Sequence, residues 1–456
     1  MKWKDRQGIS LLKTKLITLI LVTSTVCLTV FAISSNKKLP VEEPMQPHIV
    51  LMDTVSSQIP FAIDSLCYIS DFNASLDTFC YNLDDLLVGK DTIIKILHIG
   101  DSHIQAGFLT GQVMRMLQET FGNAGRGWIA PFKLAKDNEP LDYFIKSPKI
   151  KDWTVGRCIQ REPKCPWGPG GIALQTESNQ VDFNIRISPK RGAGYEFNEV
   201  HVYRGENTLP MLPVGADSGF VETIWGNKKE DTDIIVDTFF IAEKIDSFYL
   251  HTARKNELPE ENLNLLETAN RYYGFSLLNG NSGILYHSVG HNGAMFQTYL
   301  NRDFMKQLTV FEPSLVIVSL GTNEAFGHNF RTDVFESQMN EFVQLLKEYL
   351  PHTAILLTTP AESYQRIRKK GYQRNLNYAK VANTIAEYAQ KEGLACFNLY
   401  EITGGANSCQ KWHSSSYYGR DRIHFTIDGY QEQGKLLYKA LIRLKTNKQI
   451  LASGDI

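Results

Sequence analysis

Ile93-Ile94-Lys95-Ile96-Leu97-His98-Ile99-Gly100-Asp101-Ser102-His103 reads as a strand that ends in a sharp polar turn. Ile93 to Ile99 is an apolar run of strand length, and beyond Gly100 the residues Leu109, Val113, Met116 and Leu117 recur at helical spacing. That is a strand–turn–helix unit. The same alternation resumes after residue 281. Strands are expected at Ile284–Val289, Leu315–Leu320, Ala354–Thr359 and Leu394–Leu399, interleaved with amphipathic helices near 334–350, 374–392 and 429–445. Apolar strands with helical crossovers predict a parallel sheet covered on both faces, so the fold class is α/β in three layers.

Between these two α/β stretches, helical periodicity almost vanishes. Short alternating runs appear instead at Val181–Ile187, Glu199–Tyr203, Thr232–Phe240 and Asp246–Thr252, separated by clusters such as Gly168-Pro169-Gly170-Gly171. This spacing predicts an all-β sandwich over 123–280, inserted after the first helix of the α/β domain. The domain itself then comprises 91–122 and 281–456. Trp128, Trp153, Trp167 and Trp225 lie in the insert, either as exposed faces that stack on sugar rings or as filling for its core.

The N-terminus has another character. Lys2, Lys4, Arg6, Lys13 and Lys15 precede an uncharged run from Leu16 to Ile33, which would extend about 27 Å as a helix. Residues 1–35 are therefore expected to be a signal anchor with its basic flank in the cytoplasm, or a cleaved export signal, with Ala32 and Ser34 a poor cleavage pattern. Residues 36–90, with Pro40, Pro44, Pro47 and Pro60, read as a spacer and lead-in. Lys+Arg 48 against Asp+Glu 49 gives a net charge of -1, so there is no basic field to hold a nucleic acid. The mean hydropathy of -0.23 excludes a multi-span membrane protein. Cys67, Cys80, Cys158, Cys165, Cys396 and Cys409 could pair as neighbours in an exported chain or remain as buried thiols.

Functional residues of an open α/β sheet gather at the carboxyl ends of its strands. Three polar motifs fall there or in the last loop: Gly100-Asp101-Ser102-His103, Gly321-Thr322-Asn323-Glu324 and Asp421-Arg422-Ile423-His424. Ser102 at the strand–helix turn suits a nucleophile, His424 a base, and Asp421 a group that holds the imidazole. Asn323, with the amides of Ser102 and Gly293, would receive a developing oxyanion. Each residue also has a plainer use: Ser102 as a helix cap, Asp421 as a loop cap, His424 as a packed histidine, Gly293 as a turn former. His103, His287 and His291 are expected as pocket or packing residues, and Asp101 and Glu324 as holders of backbone amides. No metal or other cofactor is needed for this chemistry.

These motifs, in this order, resemble those of the SGNH hydrolases, also called GDSL esterases. The resemblance assigns Ser102, Asp421 and His424 as catalytic and Ser102, Gly293 and Asn323 as the oxyanion hole. It implies a flavodoxin-like α/β/α domain. His103 stands where the family usually has leucine, and Glu324 where aspartate is common. The GDSH variant, the stretch Phe121-Gly122-Asn123-Ala124-Gly125-Arg126-Gly127-Trp128 and the β insert resemble periplasmic peptidoglycan O-acetylesterases. That resemblance implies removal of O-acetyl groups from peptidoglycan or another envelope glycan by a chain anchored in the inner membrane with its catalytic domain in the periplasm, or secreted if the signal is cut. Two alternatives use the same chain: a glycan O-acetyltransferase beside a membrane acyl-transfer partner, and a non-catalytic glycan-binding envelope protein.

Overall fold

The computed structural model describes Ile59 and residues 61–214, 220–258, 260–327 and 329–453. Its central sheet runs in the order Ser70–Asp71, Ala395–Phe397, Ala354–Thr358, Leu315–Ser319, Ile93–Gly100, Gly283–Gly290. The last five strands are parallel, and the two-residue edge strand pairs antiparallel with Ala395 and Cys396. Side chains alternate between the two faces with the period of two that a strand imposes. Ile94, Ile96, Leu315, Ile317 and Leu356 enter one buried cluster with Val113 and Leu117 of the Phe108–Phe121 helix and Leu437 and Leu441 of the Ile427–Ser453 helix. Leu97, Ile99, Val316, Val318 and Leu357 enter the other, with Phe342 and Leu346 of the Thr332–Tyr349 helix and Val381 and Ile385 of the Asn377–Glu392 helix. The expected α/β sheet is therefore present.

Register positions the site. Gly290 pairs with Gly100, Ser319 pairs with Gly100 on the other side, and Thr358 pairs with Ser319. Four strands thus end on one row, and the loops that leave it carry Asp101 and Ser102, His291 to Gly293, and Gly321 to Asn323.

The stretch expected to be an inserted sandwich folds into two antiparallel sheets. One runs Phe220–Lys228, Ile234–Ile245, Phe197–Gly205, Asn270–Leu278, Ile172–Thr176, Thr154–Arg157, with Gly127–Ile129 also paired to Asn270–Leu278. The other runs Tyr143–Lys146, Asp182–Ile187, Ser247–Thr252, Met211–Pro213. These strands pack directly against the α/β region. All the described residues fall in one unit, and both buried clusters mix residues of the two regions. Asn123 bridges to Ile284, and the Trp128 amide donates to His287 Nδ1 at 3.1 Å.

The tryptophans mostly point inward. Trp128 is 2% exposed and meets Tyr203 and Phe311 edge-on, with ring centroids 5.1 and 5.2 Å away. Trp153 stacks on Phe183 and Trp167 leans on Phe304, whereas Trp225 is 43% exposed. A row of four exposed stacking faces is therefore not what the chain builds.

Of the spacer and lead-in expected over 36–90, residues 36–58 and 60 lie outside the described residues. Residues 61–90 include the edge strand and the Asp77–Leu87 helix, and they are tied to the final helix by ion pairs. Asp64 meets Lys439 and Arg443, Asp71 and Asp77 meet Lys448, and Asp84 meets Lys445. Cys67, Cys80, Cys158, Cys165, Cys396 and Cys409 are buried free thiols, so the neighbour pairings are not formed. Their packing is separate: Cys67 Sγ donates to the Leu436 carbonyl at 3.3 Å and Cys409 Sγ to that of Arg422 at 3.7 Å. Among the described residues no helix is long and apolar enough to cross a membrane. The anchor expected at 1–35 lies outside the described residues.

Candidate active site

Gly100 ends its strand where no side chain fits. A Cβ there would stand 2.3 Å from Ile104 Cγ1 and 2.7 Å from the Ser319 carbonyl. The chain turns at Asp101, whose carboxylate caps the short Ser102–Gln105 helix by accepting from the His103 amide at 2.9 Å. Ser102 is thereby the first residue of a helix at the end of a strand, with its hydroxyl toward a cleft of about 600 Å³. The Tyr299 hydroxyl donates to the Gly100 carbonyl at 2.7 Å and fixes the turn from behind.

His424 reaches this hydroxyl from 322 residues away. Its Nε2 is 2.9 Å from Ser102 Oγ, and its Nδ1 is 2.7 Å from Asp421 Oδ2. A carboxylate only accepts, so Nδ1 carries the proton and Nε2 is free to accept from serine. Asp421 Oδ1 accepts from the amides of Ile423 and His424, each at 3.0 Å, which orients the carboxylate within its own turn. Partial burial works against the charge of Asp421, but the hydrogen bonds from the His424 side chain and these amides outweigh it. They hold the carboxyl below its usual range.

Gly293 and Asn323 face the same cleft. Gly293 sits at φ +81, a left-handed conformation that favours glycine. Gly321, at φ +113, begins the Thr322–Phe326 helix that carries Asn323. The Asn323 amide nitrogen donates to the Ala294 carbonyl at 2.8 Å, tying that helix to the Gly293 loop. The structure thus brings together Ser102, Gly293, Asn323, Asp421 and His424, all five residues singled out in the sequence. A hydroxyl with an aligned base, facing an amide and a glycine loop, can attack an acyl carbonyl and hold the oxyanion that results.

The remaining candidates sort by burial. His287 accepts from Trp128, His291 Nε2 bonds the Gly170 carbonyl at 2.7 Å, and burial lowers the two imidazoles to about 3 and about 4 respectively. Both are packing residues. Glu324 Oε1 accepts from the Phe296 amide at 2.8 Å, and Asp101 holds the His103 amide, as expected of both. Burial pushes both carboxyls up to about 7.

Sequence reasoning missed Gln105. Its buried side chain accepts from the Asn292 amide at 2.6 Å and donates to the Asn138 carbonyl at 3.1 Å, clamping two walls of the cleft. Its place three residues after Ser102, on the same short helix, was the available signal. Asn138, Phe326 and Tyr430 also line the cleft and carry no sequence signal of their own.

Residues 265–432 match the model of the GDSL-like Lipase/Acylhydrolase family. The resemblance drawn from the motifs is thereby shown for this part of the chain. Gly293, Asn323, Asp421 and His424 lie inside the match and Ser102 precedes it. No curated protein matches the sequence. Among solved structures, that of a peptidoglycan O-acetylesterase is similar over 83% of this chain and 99% of its own, at 21% identity and a TM-score of 0.64. This shows a shared fold. A GDSL-like lipase from Bacteroides thetaiotaomicron (20% identity, TM-score 0.28) and an acetyl xylan esterase (18%, 0.29) each overlap only 35% of this chain, over 76% and 81% of their own.

Proposed function

We propose that the protein is an exported serine esterase that removes O-acetyl groups from peptidoglycan or another cell-envelope glycan. The observation that carries this reading is the unbroken chain from Asp421 through His424 to Ser102 Oγ at the mouth of the cleft that Gly293 and Asn323 line. Ser102 Oγ attacks the acetyl carbonyl while His424 Nε2 takes its proton, and Asp421 stabilises the imidazolium. The oxyanion is received by Asn323 Nδ2 and the amides of Ser102 and Gly293. Collapse expels the sugar oxygen, which takes the proton from His424. A water then gives its proton to His424 and attacks the acetyl-Ser102 carbonyl, releasing acetate and restoring the hydroxyl. The glycan part of the reading rests on the GDSH motif and on the fold shared with a peptidoglycan O-acetylesterase. Export and tethering rest on the basic flank and apolar run of residues 1–35.

The test is release of acetate from a small aryl acetate and from O-acetylated peptidoglycan. Ser102→Ala and His424→Ala are expected to lower turnover by about a thousandfold or more with the fold intact, and Asp421→Asn to leave more activity than either. Wild-type turnover in Ser102→Ala would end the nucleophile assignment. Hydrolysis of the aryl ester but of no acetylated glycan would end the glycan assignment.

A further inference from the structure

His424 and Asp421 lie on a surface turn, with side chains 45% and 48% exposed. Packing in front of the imidazole is therefore slight, yet its Nε2 must stay aligned with Ser102 Oγ through two proton transfers. Behind it stands His103. The two imidazole rings lie 5.3 Å apart between centroids and 30° from parallel. His103 is held in turn by Tyr430, whose hydroxyl is 3.0 Å from Nδ1 and whose ring packs edge-on at 5.7 Å.

His103 also lines a second, partly open cavity of about 40 Å³, which shares Thr322 and Phe425 with the substrate cleft. Roughly 10–15 Å³ suffices for one water, provided two to four polar partners converge on it. Three do. Asp101 Oδ2, His103 Nε2 and Gln433 Nε2 are buried, belong to residues that line this cavity and find no hydrogen-bond partner among protein atoms. Orphaned polar atoms of this kind are rare, and three around one cavity point to a shared ligand. Their chemistry is also complementary. With Tyr430 donating to Nδ1, His103 Nε2 and Gln433 Nε2 are donors, and Asp101 Oδ2 is an acceptor once the carboxyl, raised by burial to about 7, is ionised.

We propose that this cavity binds an ordered water shared by Asp101, His103 and Gln433, and that His103, so held, is a positioning residue that keeps the His424 imidazole aligned with Ser102. The water accepts from His103 and Gln433 and donates to Asp101 Oδ2, so each orphaned atom is satisfied. Burial lowers His103 to about 3, which makes it a neutral ring and not a second cation against the imidazolium that forms on His424. A leucine at 103 would fill part of the space but could neither be fixed by Tyr430 nor hold the water.

The kinetic part rests on the esterase reading, and the experiment separates the two. A high-resolution crystal structure of the wild-type protein is expected to show water within hydrogen-bonding distance of Asp101 Oδ2 and His103 Nε2; a dry cavity would overturn the water site whatever the activity. His103→Leu is expected to lower kcat on an aryl acetate roughly tenfold or more with KM unchanged, the effect of a misaligned base. The downfield proton of the Asp421–His424 hydrogen bond, read by NMR, should broaden in this variant, and His103→Gln should recover part of kcat. Gln433→Leu, on the long final helix and away from the reacting atoms, should give the same pattern more weakly and serves if His103→Leu does not fold. Wild-type kcat and an unmoved proton resonance in these variants would overturn the positioning role. A wild-type protein inactive on every acetate would sink the esterase reading and leave the water and the resonance still to be read.

Discussion

Glu324 shows what burial does to a single carboxyl in this fold. Lack of water raises it from 4.5 to about 7, although the Phe296 amide hydrogen-bonds it and opposes the shift. Between those two pH values the unfolded chain releases the proton and the folded chain keeps it. The folded state then binds more protons, so stability falls as pH rises through the window and levels off above about 7. Glu324→Gln removes the group. The variant is therefore expected to gain stability relative to wild type from pH 4.5 upward, by a pH-dependent part on the order of 3 kcal/mol at the plateau. Urea midpoints at several pH values measure it, and a difference that does not change with pH would refute the account. The buried histidines have the opposite sign. His98, His103 and His287, all lowered by burial to about 3, bind fewer protons when folded, so they cost stability as pH falls below the unfolded value of about 6.5. They are common to both proteins and cancel in the comparison.

The Ile93–Gly100 strand is the element on which the site depends, because its last residue, where the Ser102 turn begins, has no room for a side chain. Gly100→Ala would press a methyl into Ile104 and the Ser319 carbonyl, and the Ser102 turn must shift to admit it. Overpacking of this kind costs about 1–3 kcal/mol, so a lowered urea midpoint is expected together with a loss of kcat larger than any change in KM. An unchanged midpoint would show that the turn is slack. This strand and its neighbours were legible in the sequence because burial on both faces leaves an apolar run that no exposed element imitates. Elements held by distant partners were not legible. The Asp77–Leu87 helix is held to the last helix by acids that meet Lys445 and Lys448, some 360 residues on, and no local pattern records that. The small Tyr364–Ile367 and Gly371–Arg374 hairpin is too polar to stand out. The site divides in the same way. Ser102, Asn323, Asp421 and His424 could be read because the chemistry admits few residue types, whereas Gln105 and Tyr430 are ordinary residues whose roles come only from where the chain places them.

At the scale of the whole molecule, the antiparallel sheets and the α/β sheet share their buried clusters, so loss of one is expected to bring down the other. Trp128→Ala, at a residue wedged between Tyr203 and Phe311, should cost about 3–5 kcal/mol and lower a single transition seen alike by near-ultraviolet circular dichroism and by esterase activity. Activity that outlasts the dichroism would argue for independent domains. The same assembly bears on the fate of acetyl-Ser102. Transfer to a sugar requires that the acceptor reach the acyl group while water is kept out. Here the base that would activate the acceptor is 45% exposed at the mouth of an open cleft, so water reaches it without hindrance from the described chain. Hydrolysis is the expected outcome when the protein acts alone. An acetyl donor supplied with and without a chitooligosaccharide or peptidoglycan fragment, with free acetate and acetylated sugar followed by mass, measures the partition. Acetate should dominate in both reactions. Acetylated sugar as the main product would make the protein a transferase, with the acceptor itself excluding the water, and would leave the roles of Ser102, His424 and Asp421 as they stand.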